Sequence, residues 1–174
     1  MHDMILYKIV KITNIILSFM DKTIYNVDTL YIGVGKMPKV YIVNTNKSNN
    51  PLDEKDMINN MKCAAYFSPW KHYIDTIEAN DIVYLYSSGE GIIARGIATG
   101  IVEVSNYNNE ENEEHYMHLN RFQELKTPIT SSEITNILSE AAGDKYKIQW
   151  NQTMILVAYS LGIKVWQHIS KNHI

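Results

Sequence analysis

Five consecutive residues, Ile82-Val83-Tyr84-Leu85-Tyr86, are apolar at every position, so a strand built from them has no face to give to water. Such a strand belongs inside a sheet that is covered on both sides. The turn after it, Ser87-Ser88-Gly89-Glu90-Gly91, leads to a second extended segment, Ile92 to Val104, whose alternate positions are Ala94, Gly96, Ala98 and Gly100. Side chains alternate across a strand, so this row forms a face almost without bulk, opposite Ile93, Arg95, Ile97 and Ile101. Something must approach it closely: a packed helix or ring, or the ligand of a pocket whose floor it forms. Arg95 is then either a phosphate contact or a surface cation. The row is no phosphate loop, because it lacks the Lys-Ser/Thr ending and lies in a strand.

The remaining elements fit around this pair. Val40-Tyr41-Ile42-Val43 is β-branched and aromatic and stops at an Asn/Ser-rich loop, Asn44 to Asn50, which makes it the first strand. Pro51 opens a helix, with Asp53, Glu54 and Asp56 in its first turns and an end near Lys62. Cys63 to Trp70 places Tyr66, Phe67 and Trp70 in an expected loop, where large rings need a reason to be. A short helix from Lys71 to Glu78 follows. The polar run Asn106 to Glu114 reads as a solvated hairpin loop before a strand from His115 to Leu125. Pro128 to Glu133 carries a helix-start signal, with the helix running to Ser139. Gln152 to Val157 is a candidate last strand, and Ala158, Leu161, Val165 and Ile169 have the spacing of a closing amphipathic helix despite Gly162.

Residues 1–36 read differently from the rest, being apolar without a sustained period and closing on Gly33-Val34-Gly35-Lys36. Either they add a helix and strand to the domain, or the natural start is Met37 and they are translated upstream sequence. The domain proper is expected over residues 37–174. Asp3, Lys8 and Lys11 interrupt the apolar opening, so no membrane span or signal peptide is expected. The one cysteine, Cys63, has no partner for a bridge, which points to a reducing compartment and a cytoplasmic protein. A net charge of −3 excludes a general electrostatic grip on nucleic acid, so any such contact must be local.

The stretches Asn80-Asp81-Ile82-Val83-Tyr84-Leu85-Tyr86-Ser87-Ser88 and Gly91-Ile92-Ile93-Ala94-Arg95-Gly96-Ile97-Ala98 resemble the EVE branch of the PUA-like superfamily, whose cousins include the YTH readers. That family carries a Gly-Asp-led strand followed by a glycine-rich one. Here Asn80-Asp81 stands for Gly-Asp, and Tyr41 stands where many EVE proteins have Trp. The resemblance covers about Lys39 to Leu125. It implies an α/β (α+β) fold, a small twisted β-barrel flanked by helices, with a pocket for one base, often modified, flipped out of DNA or RNA. Some relatives are specificity domains of modification-dependent restriction systems, which implies a defence or RNA-related role beside an effector, a nuclease or NTPase, encoded separately.

Carried over, the pocket aromatics are similar to Trp70 and to Tyr66 or Phe67. Polar walls are similar to Asn44 and Asn46, with Ser68, Ser87 and Ser88. Stacking surfaces and a few inward donors and acceptors are what a flipped base needs. Lys47, Lys62, Lys71 and Arg95 flank these segments and are the candidate phosphate contacts. The alternative is a protein-interaction or small-ligand domain on the same barrel, which the acidic balance favours. No catalytic residue or cofactor is expected: Cys63, His72 and Asp75 make at best a chance nucleophile set, and His115 and His118 lack a third metal ligand at recognisable spacing.

Overall fold

The doubly apolar strand sits where its composition puts it, between two others. In a computed structural model that describes residues 37–174, β1 (Val40–Asn44) pairs in parallel with β3 (Ile82–Ser87), and β3 pairs antiparallel with β4 (Gly91–Ala98). The full sheet has the order β2-β6-β4-β3-β1-β7, with β5 also on β6; β2 is Lys62–Tyr66, β5 Glu103–Tyr107, β6 Glu110–Ile129 and β7 Met154–Val157. Helices α1 (Pro51–Asn59), α2 (Ser131–Ala142) and α3 (Tyr159–Asn172) and a 3-10 helix (Trp70–Thr76) flank it. The expectation for residues 1–36 lies outside the described residues.

The alternation in β1 and β3 is read out as two cores. Tyr41, Val43, Val83 and Leu85 face one side and pack with Met57, Cys63, Ile74 and Met117. Val40, Ile42, Ile82, Tyr84 and Tyr86 face the other and pack with Ile134, Leu138, Val165 and Ile169 of α2 and α3. The sheet curls because β6 is long enough to serve two neighbourhoods. Its first part pairs with β2 and β5, its second with β4, and at the changeover Arg121 takes φ 49° beside a register shift in the β4 ladder. The result is the expected mixed α+β fold, a curled half-barrel flanked by helices.

Chain entry into β3 explains one departure from the motif. Asn80 has φ 73°, a left-handed conformation that Gly adopts freely and Asn tolerates, so Asn-Asp can stand for Gly-Asp. Asp81 is buried and its two carboxylate oxygens accept from the backbone N–H of Lys39, at 2.7 Å, and of Glu78, at 2.8 Å.

Several element boundaries correct the sequence reading. Helix α1 ends at Asn59, because Met61 takes φ 50° and turns the chain into β2; Cys63 to Tyr66 is therefore a fully buried strand and not a loop. The segment Ile92 to Val104 is two strands, broken after Ala98 where Gly100 adopts φ 77° against the backbone of Ala79. The run Asn106 to Glu114 is a tight hairpin whose turn residues Asn108 and Asn109 both have positive φ, while its glutamates belong to β6. The small row is packed as expected for a close approach: a Cβ on Gly96 would lie 2.7 Å from Cβ of Leu119.

Gly162, which reads as a liability in α3, is a contact point. A Cβ there would stand 2.6 Å from both Cγ atoms of Val40, and its carbonyl accepts from the Tyr84 hydroxyl at 2.9 Å. Gly162→Ala is expected to destabilise the protein by about 1–3 kcal/mol through overpacking, although Ala is the better helix former by about 1 kcal/mol. Urea unfolding checks it; a gain in stability would mean that α3 does not bear on β1.

Candidate functional site

The loop after β1, the end of β2, the start of the 3-10 helix and the β5-β6 turn converge on an open cavity of about 890 Å³. Of the residues expected at a pocket, Asn44, Asn46, Tyr66, Phe67, Trp70 and Ser88 line it. Trp70 is 50 % exposed, an indole surface held open to solvent. Ser68 and Ser87 are not among the lining residues. Ser68 sits beside His72, with Oγ 3.3 Å from Nε2, and the buried Ser87 hydroxyl lies 3.3 Å from Nζ of Lys47.

Two parts of the wall, and one residue behind it, escaped the sequence reading. Tyr107 lies on β5, where a solvated loop is expected, and stacks on Tyr66 with centroids 4.2 Å apart and edge-on to Phe67 at 5.3 Å. Asn151, Gln152 and Thr153, just before β7, close the far side. The residue behind it is Asp53, buried in the first turn of α1, which knits the rim together. Its carboxylate accepts from Asn46 Nδ2 at 2.5 Å, Asn50 Nδ2 at 2.7 Å and the Tyr107 hydroxyl at 2.9 Å. Burial, the largest influence, raises the Asp53 carboxyl above its ordinary pKa against the hydrogen bonds from Asn46 and Tyr107.

The aromatic wall is held under strain. Phe67 has φ 59°, costly for a bulky residue by about 1–3 kcal/mol. It is fixed from both sides, its N–H donating to the Glu113 carbonyl at 2.9 Å and its carbonyl accepting from Lys71 N–H at 2.8 Å. Tyr66, 8 % exposed, has a buried hydroxyl with no hydrogen-bond partner among the described residues.

The four cations expected to meet phosphate are not brought together. Lys62 is buried between Asp56 and Glu114, 2.7 Å from each, over the Tyr116 ring. Burial alone would lower its pKa, but those hydrogen bonds hold the ammonium above the ordinary lysine value. Lys71 is buried and donates to the Asn112 carbonyl and to Glu113, both at 2.8 Å, which pins the aromatic turn to β6. Arg95 is neither a surface cation nor open to phosphate. It is 4 % exposed, stacked 3.9 Å from the Trp166 ring, and donates to Gln123, to the Trp166 carbonyl and to Ser170. Lys47 is half-buried and paired with Glu54 and Glu90. Exposed Lys145 and Lys147 lie instead on the segment that leads to Asn151.

Cys63 is buried, donates weakly to the Met117 carbonyl, and burial pushes its thiol up to about 12, so it holds no thiolate near neutral pH. The fold does supply His115 with the companions that its sequence neighbourhood lacks: the two oxygens of Asp75 lie 2.9 Å from His72 Nδ1 and 2.7 Å from His115 Nδ1.

No helix among the described residues is long and apolar enough to cross a membrane. No protein-family model matches the sequence, and no curated protein matches it. Among solved structures, the chain is similar to the Mmi1 YTH domain in complex with RNA, with a TM-score of 0.52 at 10 % identity over 81 % of this chain and 83 % of that one. It is also similar to Rpa0253 from Rhodopseudomonas palustris, with a TM-score of 0.46 at 15 % identity over 76 % of this chain and 91 % of that one. At such identity the likeness to the YTH domain is one of fold alone: residues 37–174 build a curled half-barrel flanked by helices, similar in fold to that domain.

Proposed function

We propose that this protein is a non-catalytic reader of nucleic acid, of the EVE type, that takes a single unpaired base into the cavity beside Trp70. The observation that carries the reading is the composition of that cavity: a half-exposed indole and a Tyr66-Phe67-Tyr107 cluster beside a rim of Asn44, Asn46, Asn49, Asn50 and Asn108. Aromatic faces stack on any base, and side-chain amides offer paired donors and acceptors to a base edge. The YTH domain that shares the fold was solved with RNA, which favours RNA as the first polymer to test. A modified base is the finer reading, since stacking walls gain contact from an added methyl group. A separately encoded effector would then act on what this module binds.

With Lys62, Lys71 and Arg95 held internally, the backbone grip is weak, and binding should depend on salt only modestly. With Lys47 paired to Glu54 and Glu90, two phosphates neutralised on a single strand, by the exposed Lys145 and Lys147, would give a slope of about −1.4 in log affinity against log salt. Fluorescence polarisation against single- and double-stranded RNA and DNA, unmodified or base-methylated, at two salt concentrations tests the proposal. Preference for single-stranded or marked oligonucleotides with a slope no steeper than this supports it. No binding to any oligonucleotide at low salt would overturn it in favour of the second reading, a small-ligand or protein-interaction domain, which the net charge of −3 favours.

A further inference from the structure

At the opposite end of the helices a second group of side chains meets without being explained by packing. Glu133 lies in the first turn of α2, whose N-cap Thr130 accepts from its N–H at 3.2 Å. His168 lies on α3 and His173 directly follows it. One donor atom from each of the three falls within 4.8 Å of the others. His168 Nε2 is 2.8 Å and His173 Nε2 3.4 Å from the same Glu133 oxygen, Oε1.

His173 is held with unusual care for so peripheral a residue. Its N–H donates to the Ile169 carbonyl at 3.0 Å, its carbonyl accepts from Lys126 N–H at 2.9 Å, and its Nδ1 lies 3.0 Å from the Thr127 carbonyl. The Thr127 hydroxyl, 3.1 Å from the same Nδ1, can donate or accept, but the carbonyl only accepts, so a proton on Nδ1 serves both and neutral His173 presents a lone pair at Nε2. That nitrogen is buried, 8 % of the residue being exposed, and has no hydrogen-bond partner among the described residues. A lone pair turned toward a carboxylate oxygen calls for a cation between them. An imidazole oriented by a backbone carbonyl through its other nitrogen is how metal-binding histidines are set.

We propose that Glu133, His168 and His173 bind a divalent transition-metal ion, zinc being the best fit. With bonds of about 2.0–2.2 Å, tetrahedral donors stand about 3.4 Å apart, so the His173 pair already has the right separation and the His168 pair needs to open by about half an ångström. Two imidazoles and one carboxylate leave a fourth position for water. His168 and His173 are separated by four residues, within the range of natural zinc-ligand spacings. The His72, Asp75 and His115 cluster is the weaker candidate, because each Nδ1 is already satisfied by its own Asp75 oxygen. The proposal does not depend on the reading of the base pocket.

The test uses the full chain with any affinity tag removed, stripped with chelator and dialysed. Zinc is titrated in competition with a chromophoric chelator, cobalt absorption is recorded, and melting is followed with and without zinc. One zinc per chain is expected, with a rise in melting temperature of about 5 °C once zinc exceeds its Kd a hundredfold. Affinity should fall at least tenfold in Glu133→Gln and in His168→Ala, both at partly exposed positions, and stay unchanged in His72→Ala. Absence of binding at 100-fold excess zinc would overturn the proposal and leave a proton as the shared cation. Binding lost in His72→Ala and kept in His168→Ala would overturn it as well, assigning the ion to the other cluster.

Discussion

Trp70→Ala is expected to weaken binding of the preferred oligonucleotide by about 5- to 150-fold, the equivalent of one lost stacking contact of about 1–3 kcal/mol. The melting temperature should scarcely move. Trp70 is 50 % exposed and belongs to neither core, so truncating it removes a surface and opens no cavity. A separate effect on binding and on stability is what distinguishes a stacking platform from a packing tryptophan. If the variant binds as tightly as the parent, the base does not sit on Trp70, and the Tyr66-Phe67-Tyr107 wall becomes the stacking surface. Trp70→Phe should recover part of the loss, since a smaller ring keeps the face and forfeits area.

The second large effect is on stability. Asp81→Ala is expected to cost about 3–5 kcal/mol, because it strips two backbone N–H groups of a charged, buried acceptor at 2.7 and 2.8 Å. Both groups position β1 and β3: Lys39 leads into the first, and Glu78 precedes the turn into the second. For a chain of this size a loss of that order lowers the melting temperature by about 10 °C. Asp81→Asn retains one acceptor oxygen and should cost less than half as much. Equal unfolding midpoints for parent and Ala variant in urea would show that water replaces the carboxylate there.

The strand pair Ile82 to Ala98 was legible because its pattern admits few arrangements. A run apolar at every position needs cover on both faces, and a small-residue row needs a close neighbour; the fold provides α2 and α3 on one face of the run, Met57, Cys63, Ile74 and Met117 on the other, and Leu119 for the row. That Asn44, Asn46, Tyr66, Phe67, Trp70 and Ser88 line one cavity was expected from the resemblance together with the oddity of rings next to a proline. Tyr107 and Asp53 were hidden because their roles come from distant partners. Nothing local marks Tyr107 as the ring that will meet Tyr66, or a first-turn aspartate as a rim clasp more than a helix-dipole partner. The cations failed for a related reason. Lys62, Lys71 and Arg95 flank the pocket segments in sequence, but a long side chain is drawn inward by whatever carboxylate or indole the fold brings opposite it, Glu114 and Glu113 of β6 for the lysines and Trp166 of α3 for Arg95. His173 shows the same limit, since its orientation is set by Thr127 on β6.

The long strand β6 has a consequence for how the molecule comes into being. Its ladders to β2 and β4 join residues far apart along the chain, among them Lys62 with His118 and Ile92 with Ile129. Neither the aromatic side nor the helical side of the half-barrel can finish its hydrogen bonding before β6 is in place. Such non-local pairing must meet the entropy of closing long loops before it is rewarded, so assembly should be slow and strongly cooperative. A nascent chain halted before Glu110 would hold β1, β3 and β4 with both edges open, since their neighbours β6 and β7 are still to come, and the cavity is complete only once Asn151 to Thr153 close its far side.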